Sequence, residues 1–359
     1  MSTHAWATLS NQGVAAAAIV YFLALLAHLV EWSALLGRSS APGADAVGTP
    51  TASEPLVASS LPTQDAASLR AAPVAPLRSA PSGSHAADEP PASGGPDDDR
   101  SLRAEMFGRL GYLLTVIAVA CHIFAITCRG IAAGRVPWGN MYEFTVAGTC
   151  IVGLVYVALY PKFKLSWMAP AVVAFNLVFL MIAVLVLYTP VEDLTEALHS
   201  YWLVIHVIAA ALATGAFTLG GIASGIYLVK ARWPEKDTGW LARVPSLAAL
   251  DRTAYRIHAF GFPIWTFAVL ITGPIWAHQA WGSYWNWDPK EVWAFITWVV
   301  YAGYLHARAT AGWKGRNAAI LALVALATLW FNFIGINYFS SSSMHSYADG
   351  IAAVAGARL

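Results

Sequence analysis

Eight apolar stretches, at approximately residues 14–36, 107–128, 142–160, 168–188, 201–229, 257–279, 292–311 and 318–339, decide the architecture before any other feature does. Each is close to the roughly 20 residues that a helix needs to cross the hydrocarbon layer of a bilayer. Within that layer every backbone N–H and C=O must be bonded inside the chain, and for runs of this length the helix meets that demand. The expected fold class is therefore all-α, a polytopic membrane bundle of about eight transmembrane helices. Composition agrees: 58% of the 359 residues are hydrophobic and 11% are charged, against about 25% charged in a soluble domain. The net charge of +1 excludes nucleic acid as a partner, since there is no basic excess to neutralise phosphates. Membrane lipid is the expected surrounding.

The first stretch has no basic segment before it and no A-x-A cleavage site after it, so it reads as a retained helix rather than a signal peptide. Residues 37–103 are dominated by Ala, Pro and Ser and include Asp97, Asp98 and Asp99. Such a segment buries too little apolar surface to offset its ordering entropy, and a disordered cytoplasmic linker is expected. This gives an N-terminal helix within 1–36, the linker 37–103, and a domain of seven membrane helices over 104–359. If the N-terminus is outside, the inner loops collect sixteen Lys and Arg residues and the outer loops only Arg129, Arg135, Lys290 and Arg358. That bias follows the positive-inside rule and survives removal of the linker residues. It sets both termini, and the segment Trp281–Trp293, outside.

That segment reads WGSYWNWDPKEVW and holds four of the 16 tryptophans in thirteen positions. An interfacial aromatic belt accounts for scattered tryptophans, whereas this density suits a platform for a large flat ligand with charged edges. A porphyrin fits: its ring stacks on Trp281, Tyr284, Trp285 and Trp287, and its propionates favour the cation of Lys290. Asp288 and Glu291, when ionised, repel propionates, so their expected task is to orient the loop or to pair with Lys290. Gly282 and Pro289 point to turns rather than one continuous helix.

Haem iron needs axial ligands, for which imidazole is the common choice. His206 lies just inside the outer end of the fifth stretch and His345 just beyond the outer end of the eighth, so both reach the level of the tryptophans. They are the expected pair. His199, on the same helix face as His206, and His278 are rivals. His122 has less support, His258 falls near an inner helix end, and His4 and His85 have no case. His306 lies 15 residues beyond Glu291, about 22 Å along a helix, too deep for a haem held outside. It marks a second, transmembrane haem position, with His28 at comparable depth either its mate or a helix-packing group beside Glu31. Cys121, Cys128 and Cys150 form no CxxC or CxxCH motif and read as small buried residues.

WGSYWNWDPKEVWAFITW closely resembles the "WWD" signature of the System II cytochrome c biogenesis proteins of the CcsA/ResC type, often called CcsB in actinobacteria. The resemblance continues through PWGNMYEF, SYWLVIHV, GFPIWTFAVLITGPIWA, YLHARAT and MHSYADG, from about Arg135 to the end. It implies a plasma-membrane protein that delivers haem b and presents it outside for attachment to the CxxCH motif of apocytochrome c. The chain would then be the haem-presenting subunit of a synthase complex. It further implies His206 and His345 as external ligands and His306 as a transmembrane ligand, whose mate in the family sits on a ResB-like subunit. A thiol-reducing thioredoxin-like protein is a further implied partner. Haem export without bond formation, and a b-type haem electron-transfer subunit, are the alternatives.

Overall fold

The computed structural model describes residues 1–34, 96–191, 200–233, 239–340 and 343–345. Among them the helices are α1 (Thr3–Ser33), α2 (Pro96–Ala133), α3 (Met141–Phe163), α4 (Ala169–Leu185), α5 (Tyr201–Arg232), α6 (Leu247–Thr266), α7 (Gly273–Trp281), α8 (Pro289–Ala309), α9 (Arg316–Trp330) and α10 (Ile336–Phe339), with no strand. Two π-turns, Phe267–Thr272 and Phe331–Gly335, join α6 to α7 and α9 to α10. With those joins counted, seven spans are long and apolar enough to cross a membrane. The eighth expected span, α8, has 21 residues, about 31 Å at 1.5 Å each. It is long enough, but Lys290, Glu291, His306 and Arg308 at its two ends make it less apolar. The protein is a multi-span membrane helix bundle.

Two expected boundaries move. The first helix begins at Thr3, because Ser2 caps it by accepting the Ala5 N–H. The second begins at Pro96, inside the stretch read as linker to 103. A proline followed by three aspartates is a composition that a helix N-terminus favours, since proline lacks an N–H and acidic residues complement the dipole. The rest of the linker, His85, His199 and the tail beyond His345 lie outside the described residues.

Small residues let the first two helices close on each other. A Cβ on Gly13 would lie 2.9 Å from that of Ala125, and Ala17, Ala24 and Ala118 are buried in the same seam. Helices in lipid associate by such close packing rather than by a hydrophobic drive. The α1–α2 pair packs on α4, whereas α5 is the central element and contacts α3, α6 and α9. On the far side Phe217 of α5 stacks at 3.7 Å on Tyr301 of α8, within a cluster shared with α6 and α9.

The π-turn before α7 has a covalent cause. Pro274 has no N–H to donate one turn back, so the ladder loses a bond and re-phases there. Gly273 N–H reaches Ala268 O, five residues back, instead.

Candidate functional site

A cavity of about 230 Å³ opens at the end of the bundle that carries the 282–288 loop. At about 10–15 Å³ for each water, that is room for a multi-ring ligand. Its walls come from α3, α4, α5, α7, α8 and α9 and are mainly aliphatic and aromatic, and both His206 and His345 line it.

His206 sits in the second turn of α5. Its Nδ1 is 2.9 Å from the Ala268 carbonyl in the π-turn. A carbonyl only accepts, so Nδ1 carries the proton and Nε2 is left bare. The Thr272 hydroxyl donates to the same oxygen at 3.1 Å. Gly273 allows the approach: a Cβ there would lie 3.2 Å from His206 Cε1 and 3.3 Å from Nδ1. The His206 ring lies nearly parallel to Trp276, with centroids 6.1 Å apart.

His345 meets the same indole edge to face at 5.3 Å, and Trp281 at 4.6 Å. Buried Trp276 is therefore a neighbour of both imidazoles. His345 Nδ1 is 3.0 Å from Asp288 Oδ1, again leaving Nε2. Asp288 is 4% exposed and also accepts from Lys290 N–H at 2.9 Å, Ser343 Oγ at 2.9 Å and Met344 N–H at 2.6 Å. Burial pushes its pKa up, but the bonds from His345 and from the Lys290 and Met344 N–H groups hold the carboxyl well below the usual range. An ionised carboxylate behind one imidazole and a carbonyl behind the other are the two partners that fix a metal-binding histidine's tautomer and orientation.

The charged residues of the loop hold it together. Asp288 and Glu291 form a capping box at the start of α8, and Glu291 Oε2 takes the N–H groups of Asn286 at 2.8 Å and Asp288 at 3.2 Å. Lys290 Nζ donates to Asn337 Oδ1 at 2.9 Å and to the His345 carbonyl at 3.3 Å, while lining the cavity. Tyr284 and Trp285 also line it. Trp287 does not: its ring is 76% exposed.

A third support lies under the neighbouring loop. Buried Glu143 bonds Arg129 Nε, Arg135 Nη1 and the Gly139 N–H, each at 2.8 Å. That network fixes the loop carrying Trp138, another cavity residue.

The remaining histidines are elsewhere. His28 is buried with Nδ1 on Glu31 Oε2 at 3.0 Å; Glu31 also pairs with Arg243, and the imidazole lies against Gly111 of α2. His306 is exposed on the face of α8 that also carries Phe295, Val299 and Gly303. The structure does not bring the two together, because α1 packs on α2 and α4 whereas α8 packs on α6 and α9. His278 is exposed and stacks on Tyr284 at 4.3 Å. His122 packs near Tyr21, and His258 among Phe217, Tyr301 and Tyr304. Sequence reading assigned no role to Trp138, Trp276, Gly273 or Asn337. The only signal was their membership of PWGN, GPIWA and a span end.

The loop end of this membrane bundle thus holds an aliphatic and aromatic cavity lined by two imidazoles, each backed through Nδ1. The family model described as "Cytochrome C assembly protein" matches residues 138–344, and the chain belongs to that family. It is 31% identical over 271 residues to the cytochrome c biogenesis protein CcsA of Trieres chinensis, covering 67% of this chain and 86% of that one. To the CcsA of Synechococcus elongatus it is 33% identical over 278 residues, covering 64% and 85%. Among solved structures it resembles the cytochrome c haem lyase CcmF with a TM-score of 0.51 and 15% identity. That likeness concerns the fold; it covers 94% of this chain, which spans about half of the lyase, 49%.

Proposed function

We propose that the chain holds haem b in the cavity, with His206 and His345 as axial ligands through Nε2, and presents it for attachment to the CxxCH motif of apocytochrome c. The observation that carries this reading is the pair of imidazoles lining one aromatic cavity, each tied by Nδ1 to an internal acceptor. Family membership supports the cytochrome side of it. The donor set fits the group: two neutral nitrogens for iron, indole and phenol faces for the ring, and Lys290 in the cavity wall for a carboxylate edge. Bound there, haem supplies two vinyl groups, across each of which a cysteine S–H adds to leave a thioether and no by-product.

The chain's own share is positional. Trp276 and Gly273 fix the plane of His206, and Asp288 fixes His345. Holding the acceptor beside the peptide turns an encounter into a local reaction. On this reading the loop end faces outward, which the distribution of Lys and Arg supports, with both termini on that side and the protein in the plasma membrane. Exposed His306 suits a second haem position completed by an imidazole from another subunit, a ResB-like partner in a System II complex; Glu31 and Gly111 already engage His28. A thioredoxin-like reductant keeps the peptide's thiols free.

The test is the haem content and optical spectrum of the protein purified with its partner. His206→Ala and His345→Ala each change the spectrum of the haem held at the loop end, and an apocytochrome added to wild type acquires covalent haem. Unchanged spectra in both variants refute the ligand pair. Haem binding without covalent product selects an export role instead.

A further inference from the structure

Trp287 stands apart from the rest of its segment. Its backbone has φ +54°, a left-handed conformation that a bulky side chain adopts only under constraint. The constraint is Glu291: one carboxylate oxygen grips the N–H groups of Asn286 and Asp288, the residues on either side. The chain doubles back between those two bonds, and the indole is thrown outward to 76% exposure. Glycine or asparagine takes such a conformation with less strain. Backbone strain concentrates where a side chain must be held in a set place for function. A tryptophan of an interfacial belt needs none of this, because ordinary helix ends and loops already reach that level.

The ring is also the next one out from the cavity. It meets Trp285 edge to face at 6.0 Å, and Trp285 lines the cavity wall. A polypeptide passing the mouth brings the apolar surface that the exposed indole lacks.

We infer that Trp287 is the docking point for the CxxCH-bearing segment of the apocytochrome chain, and that it contacts the peptide rather than the haem. This rests on the haem-presenting role proposed above, which it refines by separating Trp287 from the cavity residues. The Glu291 clamp makes Trp287 a rigid anchor, and interface tryptophans of that kind carry a large share of binding energy.

The experiment uses the full chain with its bound haem in lipid nanodiscs. The probe is a fluorescein-labelled peptide with serines replacing the two cysteines of the motif, so that it docks without reacting, followed by anisotropy. Trp287→Ala is expected to weaken peptide binding about tenfold or more, Trp287→Phe to recover part of the loss, and both to keep the wild-type haem content and spectrum. Peptide affinity in Trp287→Ala indistinguishable from wild type overturns the proposal, and brominated-lipid quenching of tryptophan fluorescence that is smaller in Trp287→Phe than in wild type would then identify it as a lipid anchor. A loss of haem in Trp287→Ala overturns it from the other side, by returning the ring to the cavity. Should wild type hold no haem, the haem-presenting role fails, while the peptide titration still reads docking on its own.

Discussion

Replacing Asp288 with asparagine removes a charge without changing shape. Three donors meet Oδ1, from Lys290 N, Ser343 Oγ and His345 Nδ1, and Met344 N meets Oδ2. An asparagine oriented with its oxygen toward the three sets its NH₂ against the Met344 N–H, two donors facing each other. The opposite orientation strands three donors. In the better case the His345 bond loses its ionic acceptor, and a hydrogen bond to a charged group is worth about 1.5–3 kcal/mol. At about 1.4 kcal/mol per factor of ten, haem affinity should fall by about 10- to 100-fold, the range typical of a lost partner behind a metal ligand. The assay is a haem titration of the purified apoprotein followed by absorbance, with Ser343→Ala as a control. That control removes a neutral donor, worth about 0.5–1.5 kcal/mol, and should cost about tenfold at most. If Asp288→Asn bound haem with wild-type affinity and spectrum while His345→Ala lost it, the carboxylate would not be what holds the ligand.

Other perturbations read the surrounding framework. Gly273→Ala sets a methyl 3.1 Å from Ala268 O and 3.2 Å from the His206 ring, and should lower haem affinity while leaving the apoprotein melting temperature close to wild type. Glu143→Ala removes the buried carboxylate shared by Arg129 and Arg135 and should cost about 3–5 kcal/mol, read as a lower melting temperature in detergent. His28→Ala should lower thermal stability by emptying its place between Glu31 and Gly111, yet leave the haem spectrum at the loop end unchanged.

The helical architecture was legible because lipid imposes a length and a polarity on every span, and those appear directly in composition. That His206 and His345 reach one cavity was legible for a related reason: position along a helix gives depth, and the sequence puts both near the outer end of a span. Depth does not give azimuth or neighbours. His28 and His306 match in depth, but small residues such as Gly111 and Ala118 commit α1 to α2, on the other side of α5 from α8. Trp276 went unassigned because a tryptophan at a helix end looks the same whether it faces lipid or a cavity. Trp285 and Trp287 are two positions apart and equal in chemistry; what separates them is the pair of N–H bonds to Glu291, a local backbone geometry that residue type alone does not show. The start of α2 at Pro96 was missed because an Ala- and Pro-rich run conceals where its last proline becomes a first helical residue.

The π-turn at 267–272 carries one residue more than an α-turn would, which rotates everything after it by about 100° around the helix axis. Trp276, Ala277 and Trp281 are therefore clocked to a different side from the one that the spacing of α6 would give them. A single inserted residue, stabilised by the proline that follows it, is enough to turn part of a lipid-facing stripe into the wall of a chamber. Spans of this kind acquire a binding site by changing phase rather than by changing composition.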